Sequence, residues 1–411
     1  MRSAIKNDLT DTITSGLSRR DLLALASALS LGGVSSTARA AEETIKVGVV
    51  VPLAGAFAAS GQDMLHGAQL AMDEINAAGG IKSIGGRKIE LLPGDAGQSP
   101  ESAVTTARRI LNDKPVASIG CWYSSLTLAA TQVAEQRKIP WLTGSIADAI
   151  VGRGFKYSYQ LSAGSEDSAI GLLDAIKKMT PGDARLALIT DNNAANVDVK
   201  NSIRSKLAVT ISSEQTWTPP LSDATPAVTA ALRSNPTVIF LGATSTSDQA
   251  LVIKQLAAQG NTAPILMGAS SAANPIFLDA VGAKGMEGVV VVTAVAFPGK
   301  GTEAIDKKFA DISKLAFMGC EALTGYCNIH IIGLALQKAG RADPEAVKQA
   351  LDALDESNFA PAMLLPGGSR LKYGPNGRRL GTTVELVQWQ DGRPRVVFPS
   401  DVATAELKRK I

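Results

Sequence analysis

The stretch Ile119-Gly-Cys-Trp-Tyr-Ser-Ser-Leu-Thr127 holds the residues best suited to gripping a small polar molecule. A short apolar run, Val116 to Ile119, ends in a glycine and gives way to hydroxyl residues that open an amphipathic segment: a strand, a tight turn and a helix N-terminus. The first turn of a helix leaves backbone N–H groups without intrahelical partners and carries a partial positive charge. Ser124 and Ser125 would therefore offer amides and hydroxyls to a carboxylate or an amide oxygen, with Trp122 and Tyr123 as the apolar wall. The structural alternative is that Ser124 caps a helix and Trp122 belongs to the core.

Chemistry that would make an enzyme is missing from the spacing. There is no G-x-S-x-G elbow, no G-x-x-x-x-G-K-[ST] phosphate loop, no G-x-G-x-x-G after the first strand and no H-E-x-x-H. The only histidines, His66 and His330, lie in helical patterns away from any cysteine or acidic cluster with ligand spacing, so no metal and no cofactor is expected. Cys121, Cys320 and Cys327 cannot all pair; a Cys320 to Cys327 disulfide and free buried thiols both remain open.

The elements that must position these residues alternate. Ile45 to Val51 reads as a buried strand, followed by a small-residue loop from Leu53 to Ser60 and a helix from about Gly61 to Ala78. Strand and helix then alternate to Leu142, the alternating aromatic run Phe155 to Leu161 interrupts the rhythm, and a second series runs from Ser165 to Val295. Such alternation implies parallel sheets covered on both faces. The remaining residues give helices at about Glu303 to Leu315, Leu323 to Ala339 and Pro344 to Asp355, then a hairpin, Thr383 to Gln390 and Arg393 to Phe398, turned at Asp391-Gly392. The expected fold class is α/β, two Rossmann-like open-sheet lobes joined by a three-stranded hinge. Lobe 1 takes residues 41–162 plus 294–367 and lobe 2 takes 163–293 plus 368–411, with passages near 162, 293 and 367.

Ligands of open α/β sheets bind beyond the C-terminal ends of the strands. The loops expected to face the cleft are Leu53 to Ser60, Cys121 to Ser125 and Thr143 to Asp148 from the first lobe. From the second come Asp191 to Asn196, Gly242 to Thr246 and Gly268 to Ser271. Candidate contacts within them are Ser60, Ser145, Asn193, Thr244 and Ser270.

Composition agrees with a globular binding module. Of 411 residues 45% are hydrophobic and 19% charged, enough for substantial cores. The net charge is +3, and the first forty residues hold five basic against three acidic side chains, so the remainder carries +1. That balance, with aromatic residues at only 4%, gives no argument for nucleic acid or an anionic membrane. Ser18-Arg-Arg-Asp-Leu-Leu23, an apolar run from Leu22 to Leu31 and Ala38-Arg-Ala40 read as a twin-arginine export signal over residues 1–40. No other stretch approaches the ~20 apolar residues of a membrane span. A monomer in the periplasm, without membrane insertion, is expected.

Several runs carry a family resemblance. Ile45-Lys-Val-Gly-Val-Val-Val-Pro-Leu-Ala-Gly55, Gly67-Ala-Gln-Leu-Ala-Met-Asp-Glu-Ile-Asn-Ala-Ala-Gly-Gly80, Gly86-Arg-Lys-Ile-Glu-Leu91 and Ala335-Leu-Gln-Lys-Ala-Gly340 resemble the solute-binding proteins of branched-chain amino acid ABC transporters. These are type I periplasmic binding proteins related to the leucine/isoleucine/valine-binding protein. The resemblance implies a two-lobed protein that closes on a small molecule and delivers it to a membrane permease, without catalysis of its own. A periplasmic sensor or receptor module is the alternative. It further implies that Ser124 holds a ligand carboxylate, that a small-x-Thr loop falls on Ser145-Ile-Ala147, and that a Glu partner of a ligand ammonium falls at or near Ser270. Ala147 stands where that Thr would be, Ser270 where the Glu would be, and Ala195 or Asn196 where a packing Tyr would be. A buried ammonium without its carboxylate would cost several kcal/mol. The ligand is therefore expected to be a carboxylate lacking an ammonium, with an amino acid held otherwise, or an amide or urea-like molecule, as the other readings.

Overall fold

In the computed structural model, the described residues are 43–180, 182–206, 209–268, 270–294, 303–359, 366–368 and 370–408. The export signal expected at residues 1–40 lies outside them. Val47, Val49, Val50 and Val51 in strand β1 (Ile45–Val51) are fully buried, because a strand central to a parallel sheet has helices over both faces. β1 pairs in parallel with β2 (Ile89–Asp95) and β3 (Ala117–Gly120). β4 (Trp141–Thr143) and β5 (Ser158–Gln160) complete a five-stranded sheet in the order β2-β1-β3-β4-β5. The aromatic run at Phe155 to Leu161 is thus an edge strand of the first sheet, and the passage to the second lobe comes just after it.

The second sheet holds β6 (Arg185–Asp191), β7 (Thr210–Trp217), β8 (Val238–Gly242), β9 (Ile265–Met267) and β10 (Val290–Thr293). β13 (Glu385–Gln390) and β14 (Arg393–Phe398) join it in the order β14-β13-β10-β9-β8-β6-β7. Only the last two run antiparallel to their neighbours. Both faces of this sheet are buried: Leu186 and Leu188 enter one apolar cluster while Ala187 and Ile189 enter the other. Asp391 and Gly392 turn the β13–β14 hairpin with φ of 54° and 75°, the two positive values that a type I′ turn demands.

Helix α1 (Ala58–Ala77) begins a turn earlier than the sequence pattern suggests. It packs against α12 (Cys320–Ala339) at unusually close range. A Cβ on Gly67 would lie 1.8 Å from the Ala322 carbonyl oxygen, and one on Gly325 would lie 2.1 Å from that of Met64, so only glycine allows the two backbones to meet.

The chain passes between the lobes beside itself. Ala163 donates its N–H to the Ala294 carbonyl at 3.3 Å, joining the first two passages. The third comes later than residue 367: β12 (Leu371–Lys372) pairs with β11 (Asp355–Glu356), and Arg379 still donates to the Gln160 carbonyl at 2.9 Å before the chain enters β13. Nothing local in the sequence marks that point. The buried Arg379 guanidinium anchors it by donating to the Pro366 and Gly368 carbonyls. Cys121, Cys320 and Cys327 are buried, and no disulfide joins any of them. Among the described residues no helix is long and apolar enough to cross a membrane, and no group of three or more His, Cys, Asp or Glu could hold a metal.

Candidate ligand-binding site

The turn after β3 is shaped by Gly120, whose φ of 134° and whose closeness to β1 exclude a side chain; a Cβ there would lie 1.9 Å from the Val50 carbonyl oxygen. Buried hydroxyls hold the segment from Cys121 to Thr127 in place. Cys121 donates its N–H to Thr127 Oγ1 at 3.1 Å, Thr127 and Ser145 hydroxyls meet at 2.7 Å, and Ser145 Oγ donates to the Trp122 carbonyl at 2.6 Å. Helix α3 (Ser124–Arg137) has Tyr123 at its N-cap position with no side-chain cap, so Ser124 stands at the first helical residue rather than capping. Its Oγ accepts the Ala147 N–H at 3.3 Å and keeps its own proton to donate.

In the second lobe Asp191, at the end of β6, organises two loops. Its oxygens accept from the Asn193 N–H at 3.0 Å, Asn196 Nδ2 at 2.5 Å and the Thr244 N–H at 2.7 Å. Burial raises its pKa from the ordinary aspartate value, and these hydrogen bonds oppose that rise. Asn193 Nδ2 in turn donates to Thr244 Oγ1 at 2.8 Å.

The two sets of loops touch. Asn193 Oδ1 accepts from the Ser125 N–H at 3.2 Å and from Ser125 Oγ at 2.8 Å, and Ser125 Oγ accepts the Ala194 N–H at 3.2 Å. Tyr123 Oη donates to the Thr244 carbonyl at 3.2 Å, with its ring stacked 3.9 Å from Phe57. The lobes are therefore closed on each other. Between them lies a pocket of about 400 Å³, the solvent at its open mouth included. Its first-lobe wall is Trp122, Ser124 and the Gly144-Ser145-Ile146 turn; its second-lobe wall is Asn193, Ala195, Asn196, Thr244, Gly268, Ser270 and Ser271. None of these side chains is ionisable.

Six of the candidate contacts line this pocket: Trp122, Ser124, Ser145, Asn193, Thr244 and Ser270. Four do not. Ser60 lies inside α1 rather than in a loop and donates to Glu321 Oε1 at 3.2 Å. Tyr123 and Ser125 are spent on the contacts between lobes, and Ala147 supplies its N–H from behind Ser124 while its methyl joins Ile150 and Val151. Ala195 and Asn196, in the first turn of helix α6 (Ala194–Lys206), line the wall, within the loop region expected to face the cleft. The acidic groups that could receive an ammonium are engaged elsewhere: Asp148 pairs with Arg378 Nη2 at 2.6 Å, and Asp191 is saturated as described. Ser270 Oγ meets Thr293 Oγ1 at 2.9 Å. Sequence reasoning missed two buried acids outside the pocket lining, Asp63 and Glu321, which no motif brings together.

Residues 44–394 match the family model described as periplasmic binding protein. The chain belongs to that family. This binding protein is 29% identical over 408 residues to Leu/Ile/Val-binding protein homolog 7 of Brucella abortus, covering 93% of this chain and 98% of the relative. A branched-chain amino acid transporter substrate-binding protein from Streptococcus pneumoniae, solved with isoleucine, superposes with a TM-score of 0.75 at 20% identity, covering 87% of this chain and all of that one. A solute-binding protein from R. palustris in complex with benzoate gives a TM-score of 0.73 at 18% identity, covering 90% and 99%. The relatives are binding proteins, not enzymes, and the two-lobed fold of this binding protein is theirs.

Proposed function

We propose that this binding protein is the extracytoplasmic component of an ABC importer, exported by the twin-arginine signal at residues 1–40, which closes on a small organic carboxylate lacking an ammonium and delivers it to a membrane permease. The observation that carries the reading is the pocket wall: hydroxyls, side-chain amides and the N-terminus of α3, with Trp122 as apolar surface and no acid to balance a cation. An anion at a helix N-terminus is favoured by the free N–H groups and the dipole, whereas a buried ammonium here would lack a counter-charge. The benzoate complex of the R. palustris relative supports the ligand class, since benzoate is such a carboxylate.

A thermal-shift screen of the mature protein against aromatic and aliphatic carboxylates, branched-chain amino acids, short amides and urea tests this. A ligand at ~100 times its dissociation constant adds about 2.7 kcal/mol to stability. Shifts confined to carboxylates without an amino group are expected; a shift with leucine or isoleucine alone would overturn the ligand class. With a ligand so found, tryptophan emission should change on binding, and Trp122→Phe should abolish most of that change. Of the four tryptophans only Trp122 lines the pocket, while Trp141 and Trp389 are buried against the Gly120 and Ala272 carbonyls.

A further inference from the structure

Asp63 on α1 and Glu321 in the first turn of α12 are buried together, at 1% and 0% exposure. The glycine contacts between the two helices bring them there. Ser60 Oγ donates to Glu321 Oε1, and Asn274 Nδ2 donates to Asp63 Oδ2 at 3.0 Å. Asp63 Oδ1 and Glu321 Oε2 accept no hydrogen bond. Asp63 Oδ2 and Glu321 Oε2 share the space over Gly319, lying 2.7 and 3.5 Å from where its Cβ would be. Asn274 belongs to the second lobe, directly after the 3-10 turn Ser270–Ala273 that succeeds β9. Its Oδ1 accepts the Ile276 N–H at 3.0 Å, which fixes the amide with its NH2 toward the acids. The pair is thus a first-lobe group whose cover comes from the second.

Among the described residues, the other titratable groups within electrostatic reach of the pair bring no positive charge. Cys320 on α12, Glu385 on β13 and Tyr123 ahead of α3 lie within electrostatic reach, with Asp191 and Asp248 beyond Tyr123. The Ala322 N–H at the start of α12 and the Asn274 amide both favour a charged Asp63, yet burial and the nearby Glu321 carboxyl raise its pKa well above the ordinary range. Burial pushes Glu321 up to about 7, against hydrogen bonds from its own backbone, Ser60 and Asn274. Two carboxylates this close are costly to keep both ionised out of water, and the N–H groups directed at their oxygens offset that cost only in part.

We propose that closing the two lobes takes a proton from solvent onto the Asp63–Glu321 pair, with Asn274 as the second-lobe contact, so that the proton is bound together with the ligand. This rests on the reading of the chain as a binding protein whose lobes open and close. With the lobes apart the acids are hydrated and titrate in the ordinary carboxylate range, about 4. With them together the pKa is raised, so the advantage of the closed form is full below that range and is lost as pH rises through the closed-state value. Ligand binding accordingly tightens as pH falls, by up to about tenfold per pH unit for one proton.

Small-angle scattering from the ligand-free full chain, between about pH 5 and about pH 8.5, tests the linkage without any ligand and so independently of the ligand class. The radius of gyration of the wild type should rise with pH as the lobes part. Glu321→Gln, which mimics the protonated carboxyl, should flatten that dependence, as should Asp63→Asn. A wild-type radius that does not change with pH overturns the proposal, and so does a pH dependence that survives in both variants. If circular dichroism shows that neither folds, Asn274→Ala decides: an unaltered wild-type profile in that variant overturns the coupling, and a lost profile supports it.

Discussion

Asn193→Ala should weaken ligand binding by about thirtyfold while leaving the ligand-free melting temperature nearly unchanged. Asn193 Oδ1 receives two hydrogen bonds from Ser125 across the cleft, and Nδ2 holds Thr244 Oγ1 within its own lobe. At about 0.5–1.5 kcal/mol for each net hydrogen bond, losing the two that cross the cleft takes roughly 2 kcal/mol from the closed state. That corresponds to about thirtyfold in the dissociation constant. The effect falls on closure because two of the three bonds exist only when the lobes meet. Titration calorimetry with a ligand found by thermal shift measures it. A dissociation constant equal to that of the wild type would mean that Asn193 does not clasp the ligand-bound form.

Gly67→Val is expected to cause the largest loss of stability among single substitutions in the first lobe. The added Cβ would overlap the Ala322 carbonyl oxygen, which is backbone and cannot rotate away. Helices α1 and α12 would have to separate, carrying Asp63 and Glu321 with them. Overpacking of this kind costs about 3 kcal/mol or more. In a chain of this size that lowers the melting temperature by roughly 5 °C or more. Gly152→Ala is the control, since a Cβ at Gly152 meets nothing within 4 Å; its melting temperature should match that of the wild type. Equal melting temperatures for all three proteins would refute the close packing of α1 on α12.

The features legible in the sequence divide from the rest by the range of the interaction responsible. The β1 strand announces itself because a continuous valine run is the composition of a strand buried on both faces, and the Asp391-Gly392 turn because only certain residues accept positive φ there. Six pocket residues are legible because the C-terminal ends of parallel strands face the cleft in open sheets, and loop composition marks those ends. Ser60 is misplaced by the sequence pattern because helix α1 begins before its apolar periodicity does, and a shift of one turn moves its side chain from a loop into a packed face.

By itself, then, the sequence determined the alternation of strands and helices, the two sheets, the hairpin and the lack of catalytic motifs, all of which rest on local periodicity and turn chemistry. It also carried the family's identity. Only the tertiary structure decided the third passage after Arg379, the clasp of Asn193 on Ser125 and the meeting of Asp63 with Glu321. Each of these joins residues far apart in the chain, and its partner is chosen by how close two backbones can pack and by which polar groups burial leaves without water. No local pattern encodes either condition.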